Sequence, residues 1–329
     1  MVDLGKKLNI GRILYGACVL LAGAFILGLV SLVGLSIFAK SQEPDVYQRR
    51  AWIASSNSAA NYPIFGAIVP RVAGSKILLS VAHFLDLRTG NRHILELLDH
   101  RFNSITADYE APGSFLITGQ HLGKYFILRN EIEKSRIFRL LESELELRSA
   151  FMLDGDVCAL NPTARTKKQA YDFRVVCNGV VASEPKIKFF DNIAATGRLA
   201  ATVSRYADRV FVIQQGTQAG RVDIKMFPLP AGTAMRNDLF VFGSELYLAR
   251  TNVNSFQLFR ITDQSVEHVT GPLLDRLVEI RQVRQDLLFL GSDHAVFVNG
   301  DPKARDQSIT TWSSESGIHQ IRNMKLDSD

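Results

Sequence analysis

NDLFVFGSELYLAR, which begins at Asn237, aligns without a gap to QDLLFLGSDHAVFV, which begins at Gln285, 48 positions on. Both carry Asp-Leu near the start and Gly-Ser in the middle, with apolar residues between and an acidic residue soon after. Repetition constrains this chain strongly, because a repeated unit of a few dozen residues buries its apolar faces only against other copies of itself. Each copy reads as strand, tight turn, strand. Leu239–Phe242 leads through Gly243-Ser244 to Leu246–Ala249, and Leu287–Leu290 leads through Gly291-Ser292 to Ala295–Val298. Glycine supplies the positive φ that a hairpin turn requires. A polar loop (TNVN, NGDPKARDQ) and a third strand-like run (SFQLFRIT, SITTW) complete each unit.

Weaker copies precede these two. KILLSVA, HFLDL and RHILELL form one, and SFLITGQ, KYFILR and RIFRLL another. AFMLDGDVCAL with AYDFRVVC makes a third, and AATVSRYADRVFVIQ with RVDIKMF a fourth. First strands are expected near residues 77, 115, 150, 200, 239 and 287, a mean period of about 42. Short strands in units of this length predict an all-β fold, a β-propeller of six blades. The number becomes seven if residues 51–75 and GIHQIRNMKL complete a further blade, or the two stretches close the ring by joining an existing one. A pair of β-sandwiches gives similar local signals. NEIEKSRIFRLLESELELRS and GPLLDRLVEIRQVRQ also repeat apolar residues at helical steps, although ELELR alternates as a strand does.

FLDLRTGNRHILEL resembles the strand–turn–strand of quinoprotein-like and related propeller repeats, with Asp86, Thr89 and Gly90 on their Asp-x-x-Thr-Gly turn. The resemblance implies a left-handed Gly90 and a turn backbone bonded by the Asp86 and Thr89 side chains. It covers 14 residues once and implies the superfold, which does not fix function. The Trp-Asp signature of WD-type repeats and the Ser-x-Asp-x-Gly-x-x-Trp box of sialidase-like propellers are absent.

Residues 13–38 carry no charge and are long enough to span a bilayer as one helix. The run is too long for a signal-peptide core, and AKSQEPDV after it is a poor cleavage context. The expected layout is a tail over residues 1–12, a single transmembrane helix over 13–38, a juxtamembrane linker over 39–60 and the propeller over 61–329. Lys6, Lys7 and Arg12 nearly balance Lys40, Arg49 and Arg50. The short tail and long folded part then favour a cytoplasmic N-terminus and an exported propeller, periplasmic or otherwise extracytoplasmic. Ala17, Ala24, Gly28 and Ser31 form a stripe of small residues through which a second helix can approach closely.

Composition narrows the function classes. The chain is 47% hydrophobic and 22% charged with a net charge of +5, and its basic residues do not gather as a nucleic-acid surface requires. The densest basic runs are Arg165-Thr166-Lys167-Lys168 and Arg49-Arg50. Cys158 and Cys177 can form a disulfide if the propeller is exported; two small buried hydrophobes is the other reading. No Cys/His metal spacing, HExxH, GxSxG elbow, Walker A loop or Rossmann fingerprint occurs, so no catalytic, cofactor or metal residue is assigned. Two weaker candidates remain. His83 and His294, at corresponding places in their units, suggest a shared channel site. Asp154 and Asp156 present two carboxylates around a turn that a hairpin alone explains.

The reading that follows is a protein-interaction or assembly module, an accessory subunit of a larger membrane complex, with a membrane-protein partner and no nucleic acid. The alternative is an exported hydrolase or lyase with its active site in the central funnel. A sensor ectodomain is a third reading, and the twelve residues before the apolar run are too few for an output domain.

Overall fold

The computed structural model describes residues 52–57, 63–73, 76–87, 89–165, 171–188, 190–204, 209–218, 220–230, 236–251, 256–272, 274–275, 285–290, 294–299, 306–313 and 317–325. The apolar run 13–38, with Ala17, Ala24, Gly28 and Ser31, lies outside them. Among the described residues no helix is long and apolar enough to cross a membrane. By contacts the chain divides into two units, Met1–Arg49 with Val72–Ile77, and Arg50–Arg71 with Leu78–Asp329. The second unit carries the sheets apart from residues 72–73 and 76–77 of the first.

Those described residues form six antiparallel sheets in chain order. Sheet one holds β1 (Trp52–Asn57), β2 (Pro63–Ala73), β3 (Lys76–Asp86) and β4 (Arg92–Leu95). Sheet two holds β5 (Arg101–Asp108), β6 (Ser114–His121), β7 (Lys124–Glu131) and β8 (Arg136–Ser143). Sheet three holds β9 (Arg148–Leu153), β10 (Asp156–Arg165), β11 (Tyr171–Cys177), β12 (Val180–Val181) and the short β13 (Ile187–Lys188). Sheet four holds β14 (Phe190–Ala195), β15 (Leu199–Ser204), β16 (Arg209–Gln215) and β17 (Val222–Pro228). Sheet five holds β18 (Arg236–Phe242), β19 (Glu245–Thr251), β20 (Phe256–Ile261) and β21 (Val266–Val269). Sheet six holds β22 (Gln285–Leu290), β23 (His294–Asn299), β24 (Asp306–Ser313) and β25 (Gly317–Lys325).

The first strand of each sheet packs against the first strand of the next: β1 on β5, β5 on β9, β9 on β14, β14 on β18, β18 on β22, and β22 back on β1. This is a β-propeller. Its core is a series of apolar layers between neighbouring sheets. Along β15 and β16, Ala200, Phe211 and Ile213 enter the layer shared with sheet three, while Ala201, Val203, Val210 and Val212 enter the layer shared with sheet five. Both faces of a middle strand are therefore apolar, and these strands read as unbroken hydrophobic runs. Burial fades outward: in sheet two β6 is almost wholly buried, while β8 is mostly exposed.

Several sequence expectations move. The six unit starts correspond to β3, β6, β9, β15, β18 and β22, so three of them fall one or two strands late. Residues 51–75 supply β1 and β2 of the first sheet, and GIHQIRNMKL supplies β25 of the last. Trp52–Asn57 lies inside the stretch 39–60 read as linker, so the sheet begins earlier than residue 61. RIFRLLES is a strand, β8, laddered to β7 at the rim of sheet two, with Leu140 and Leu141 packed on the layer toward sheet three; among the described residues helical backbone occurs at 272 and 274–275. His83 lies on a third strand and His294 on a second, so the two are not equivalent.

At the turn after β3, Gly90 has φ +72°. The Thr89 N–H donates to Asp86 Oδ1 at 3.4 Å and the Asn91 N–H to Thr89 Oγ1 at 3.2 Å. This is the turn that the resemblance implies.

Candidate functional site

Four antiparallel strands joined to the next sheet by a short link return the chain to the face on which it started. The turns between first and second strands therefore gather at one end of the ring, close to its axis. Three of them meet there: Tyr109–Gly113, Asp154-Gly155 and Thr196–Arg198.

The first of these turns is built on Asp108. Its buried carboxylate accepts from Arg129 Nε at 2.6 Å and from the Glu110 N–H at 3.1 Å. Burial pushes the Asp108 pKa up, against the opposing pull of Arg129 and the local backbone N–H groups. Glu110, exposed on its loop, accepts a backbone hydrogen bond from Gly155, and its pKa is also raised, first by partial desolvation of its carboxyl. A methyl group added at Gly197 would lie 3.0 Å from Glu110 Oε1, so the carboxyl lies over the turn of sheet four as well. Between these two acids, Tyr109 reaches across from sheet two. Its ring packs on the layer between sheets four and five, and its hydroxyl hydrogen-bonds the backbone of Val241. Burial pushes this phenol up to about 12. A side chain that stays protonated at every physiological pH thus crosses the axis end from sheet two.

Asp154 and Asp156 belong to the same end. Asp154-Gly155 has φ +49° and +83°, as a two-residue hairpin turn with both centres left-handed requires. The Asp154 N–H donates to the Gly197 carbonyl. Asp156 accepts from Asn178 Nδ2 at 2.7 Å and from Gln215 Nε2 at 2.9 Å. Its carboxylate therefore holds sheets three and four together, and no group of acids, histidines and cysteines among the described residues has metal-ligating geometry. Cys158 and Cys177 stand opposite each other on β10 and β11 and are joined by a disulfide, with Cα atoms 4.0 Å apart. Both are buried in the layer against sheet four.

A cavity of about 260 Å³ opens at the other face, lined by His121, Leu122, Lys124, Tyr125, Phe126, Arg139 and Glu142. Lys124 and Arg139 both pair with Glu142, at 3.0 and 2.8 Å. The Arg139 guanidinium lies 5.8 Å from the Phe126 ring centre. No sequence pattern marks the end where the first turns meet, since its residues come from turns far apart in the chain.

No protein-family model matches the chain, and no curated protein does. Among solved structures it is similar to TolB from Acinetobacter baumannii, at 8% identity over 84% of this chain and 64% of that chain, with a TM-score of 0.47. It is similar to AztD from Citrobacter koseri, at 15% identity over 83% and 74%, with a TM-score of 0.43. It is also similar to the Pyrococcus horikoshii acylaminoacyl peptidase, at 12% identity over 86% and 48%, with a TM-score of 0.44. The chain spans about half the length of the acylaminoacyl peptidases it matches. These are likenesses of fold.

Proposed function

We propose that this chain is a membrane-anchored, six-bladed propeller acting as an interaction or assembly subunit of a larger membrane complex. Residues 13–38 form the anchor, the N-terminal tail is cytoplasmic and the propeller is exported. Ala17, Ala24, Gly28 and Ser31 offer the anchor a helix partner within the bilayer. The observation that carries the reading is the Tyr109 side chain, which spans the axis end where described first turns converge and packs on the layer between sheets four and five. The disulfide between Cys158 and Cys177 fits an oxidising compartment. Copurification of the full chain in mild detergent tests the proposal. Stoichiometric membrane-protein partners are the expected result, and a chain that runs alone removes its main support.

A second reading, an exported hydrolase or lyase, draws on the raised carboxyls of Asp108 and Glu110 at the ring end. A hydrolytic or eliminative activity that disappears in Glu110→Gln while the fold is kept would favour it.

A further inference from the structure

One hairpin departs from a habit that the chain keeps elsewhere. Among the described residues, three two-residue turns hold both central residues at positive φ: Leu122-Gly123 at 48° and 83°, Asp154-Gly155 at 49° and 83°, and Asn178-Gly179 at 49° and 81°. Aspartate and asparagine tolerate the left-handed region because their short polar side chains bond the local backbone; leucine has no such compensation. Leu122 is also 84% exposed. Backbone strain and an exposed apolar side chain thus coincide at one tip, and neither helps the fold.

A second leucine stands beside it. Leu98, 81% exposed, lies on the link between β4 and β5, so it comes from the junction of sheet one with sheet two. The two loops are clasped by their histidines: His100 and His121 stack with ring centres 4.0 Å apart and planes 9° from parallel. His100 Nδ1 lies 2.6 Å from the Leu98 carbonyl, which it meets as a donor. The charges around the Leu122 hairpin are matched among themselves. Lys124 pairs with Glu142 and reaches Glu144 at 3.8 Å, and Arg139 pairs with Glu142. What the corner offers outward is two leucines, with the exposed carboxylates of Glu96 and Asp99 flanking Leu98.

The direction in which it points follows from the topology. Because each sheet runs through four antiparallel strands in turn, with the short β13 added in sheet three, all first strands start on the face that carries the His121–Lys124 turn. β1 starts at Trp52, so the chain enters the propeller on this same face. Residues 39–51 separate Trp52 from the apolar run 13–38, and thirteen extended residues reach at most roughly 45 Å.

We propose that the Leu98–Leu122 corner inserts into the interfacial layer of the bilayer that anchors the chain. This proposal rests on the membrane-anchor reading of residues 13–38. Recognition is apolar, so it does not depend on anionic headgroups.

The test uses the full chain in phospholipid vesicles, in a Cys18→Ala background whose remaining cysteines are paired. An environment-sensitive fluorophore is placed at Leu98→Cys, at Leu122→Cys and, on the opposite face, at Ser244→Cys. The expected result is a blue-shifted emission at positions 98 and 122, quenched by nitroxide-bearing lipid and unchanged between neutral and anionic vesicles, with neither effect at 244. Emission at 122 equal to that at 244, on vesicles from which alkaline carbonate does not extract the chain, overturns the docking while the anchor stands. Lipid quenching at 122 with a carbonate-extractable chain supports the docking and removes the anchor. A blue shift without lipid quenching means that protein covers the corner, and binding that requires anionic lipid means that charge directs it; either overturns the proposal. A chain that does not float with vesicles overturns both readings.

Discussion

Through Glu110 a single carboxyl touches three consecutive sheets: it stands on the loop of sheet two, accepts from Gly155 of sheet three and lies against Gly197 of sheet four. Partial desolvation raises its pKa, so the folded chain binds that proton more tightly than the unfolded chain. The resulting penalty is absent below the ordinary glutamate range and grows as pH rises through the raised value. Glu110→Gln does not titrate. The stability of the native chain relative to this variant should therefore fall as pH rises from about 4 toward neutrality, read as the difference in urea midpoints across a pH series. A difference that stays constant with pH would show that desolvation does not govern the group. Nothing in the run DYEAPGS marks Glu110 as more than a loop residue, because the turns it meets, at Gly155 and Gly197, lie more than forty positions away.

At the scale of the strand and hairpin, the disulfide bond closes β10 onto β11 within sheet three. Cross-linking across a loop of this size restrains the unfolded chain by about 3 kcal/mol. The double variant Cys158→Ala, Cys177→Ala should lose stability of that order against the oxidised protein, measured by denaturant unfolding, and reductant should bring the native chain down toward it. Equal midpoints with and without reductant would exclude a stabilising bond. Hairpins were the most legible elements of this fold, since Asp154-Gly155, Gly243-Ser244 and the Asp86–Gly90 turn carry the residue types that their backbone angles demand. The inner strands β5 and β14 were not legible. Both contain a register break, between Phe102 and Ser104 and between Phe190 and Ile193, which interrupts the alternation by which a strand is recognised. Ser104 of β5 is satisfied inside the fold, once within its own sheet and once from sheet three, rather than by solvent. Ser104 bonds Thr118 at 2.6 Å and accepts the Ser149 N–H at 2.8 Å, so RFNSITAD passes for a loop while forming a wall of the axis.

For the molecule as a whole, the decisive contacts are those between sheets distant in sequence, and these leave no local pattern to read. Tyr109 is the clearest case. Tyr109→Ala should cost about 3 kcal/mol, as removal of a packed aromatic does, whereas Tyr109→Phe should cost only the hydrogen bond to Val241, about 1 kcal/mol. Thermal and urea unfolding of the two variants checks this, and equal losses would place the tyrosine outside the packed axis. The join between first and last sheets has its own consequence. Sheet one is drawn wholly from residues 52–95 and sheet six wholly from 285–325, and β22 meets β1 by packing, with no ladder between them among the described pairings. Within each sheet, tension must unzip hydrogen bonds in series; across this join it need only pull one packed surface off another. The ring behaves as a sprung clasp rather than a welded hoop. A strain applied between its two ends is released at that one line, with every sheet intact on either side and ready to close again.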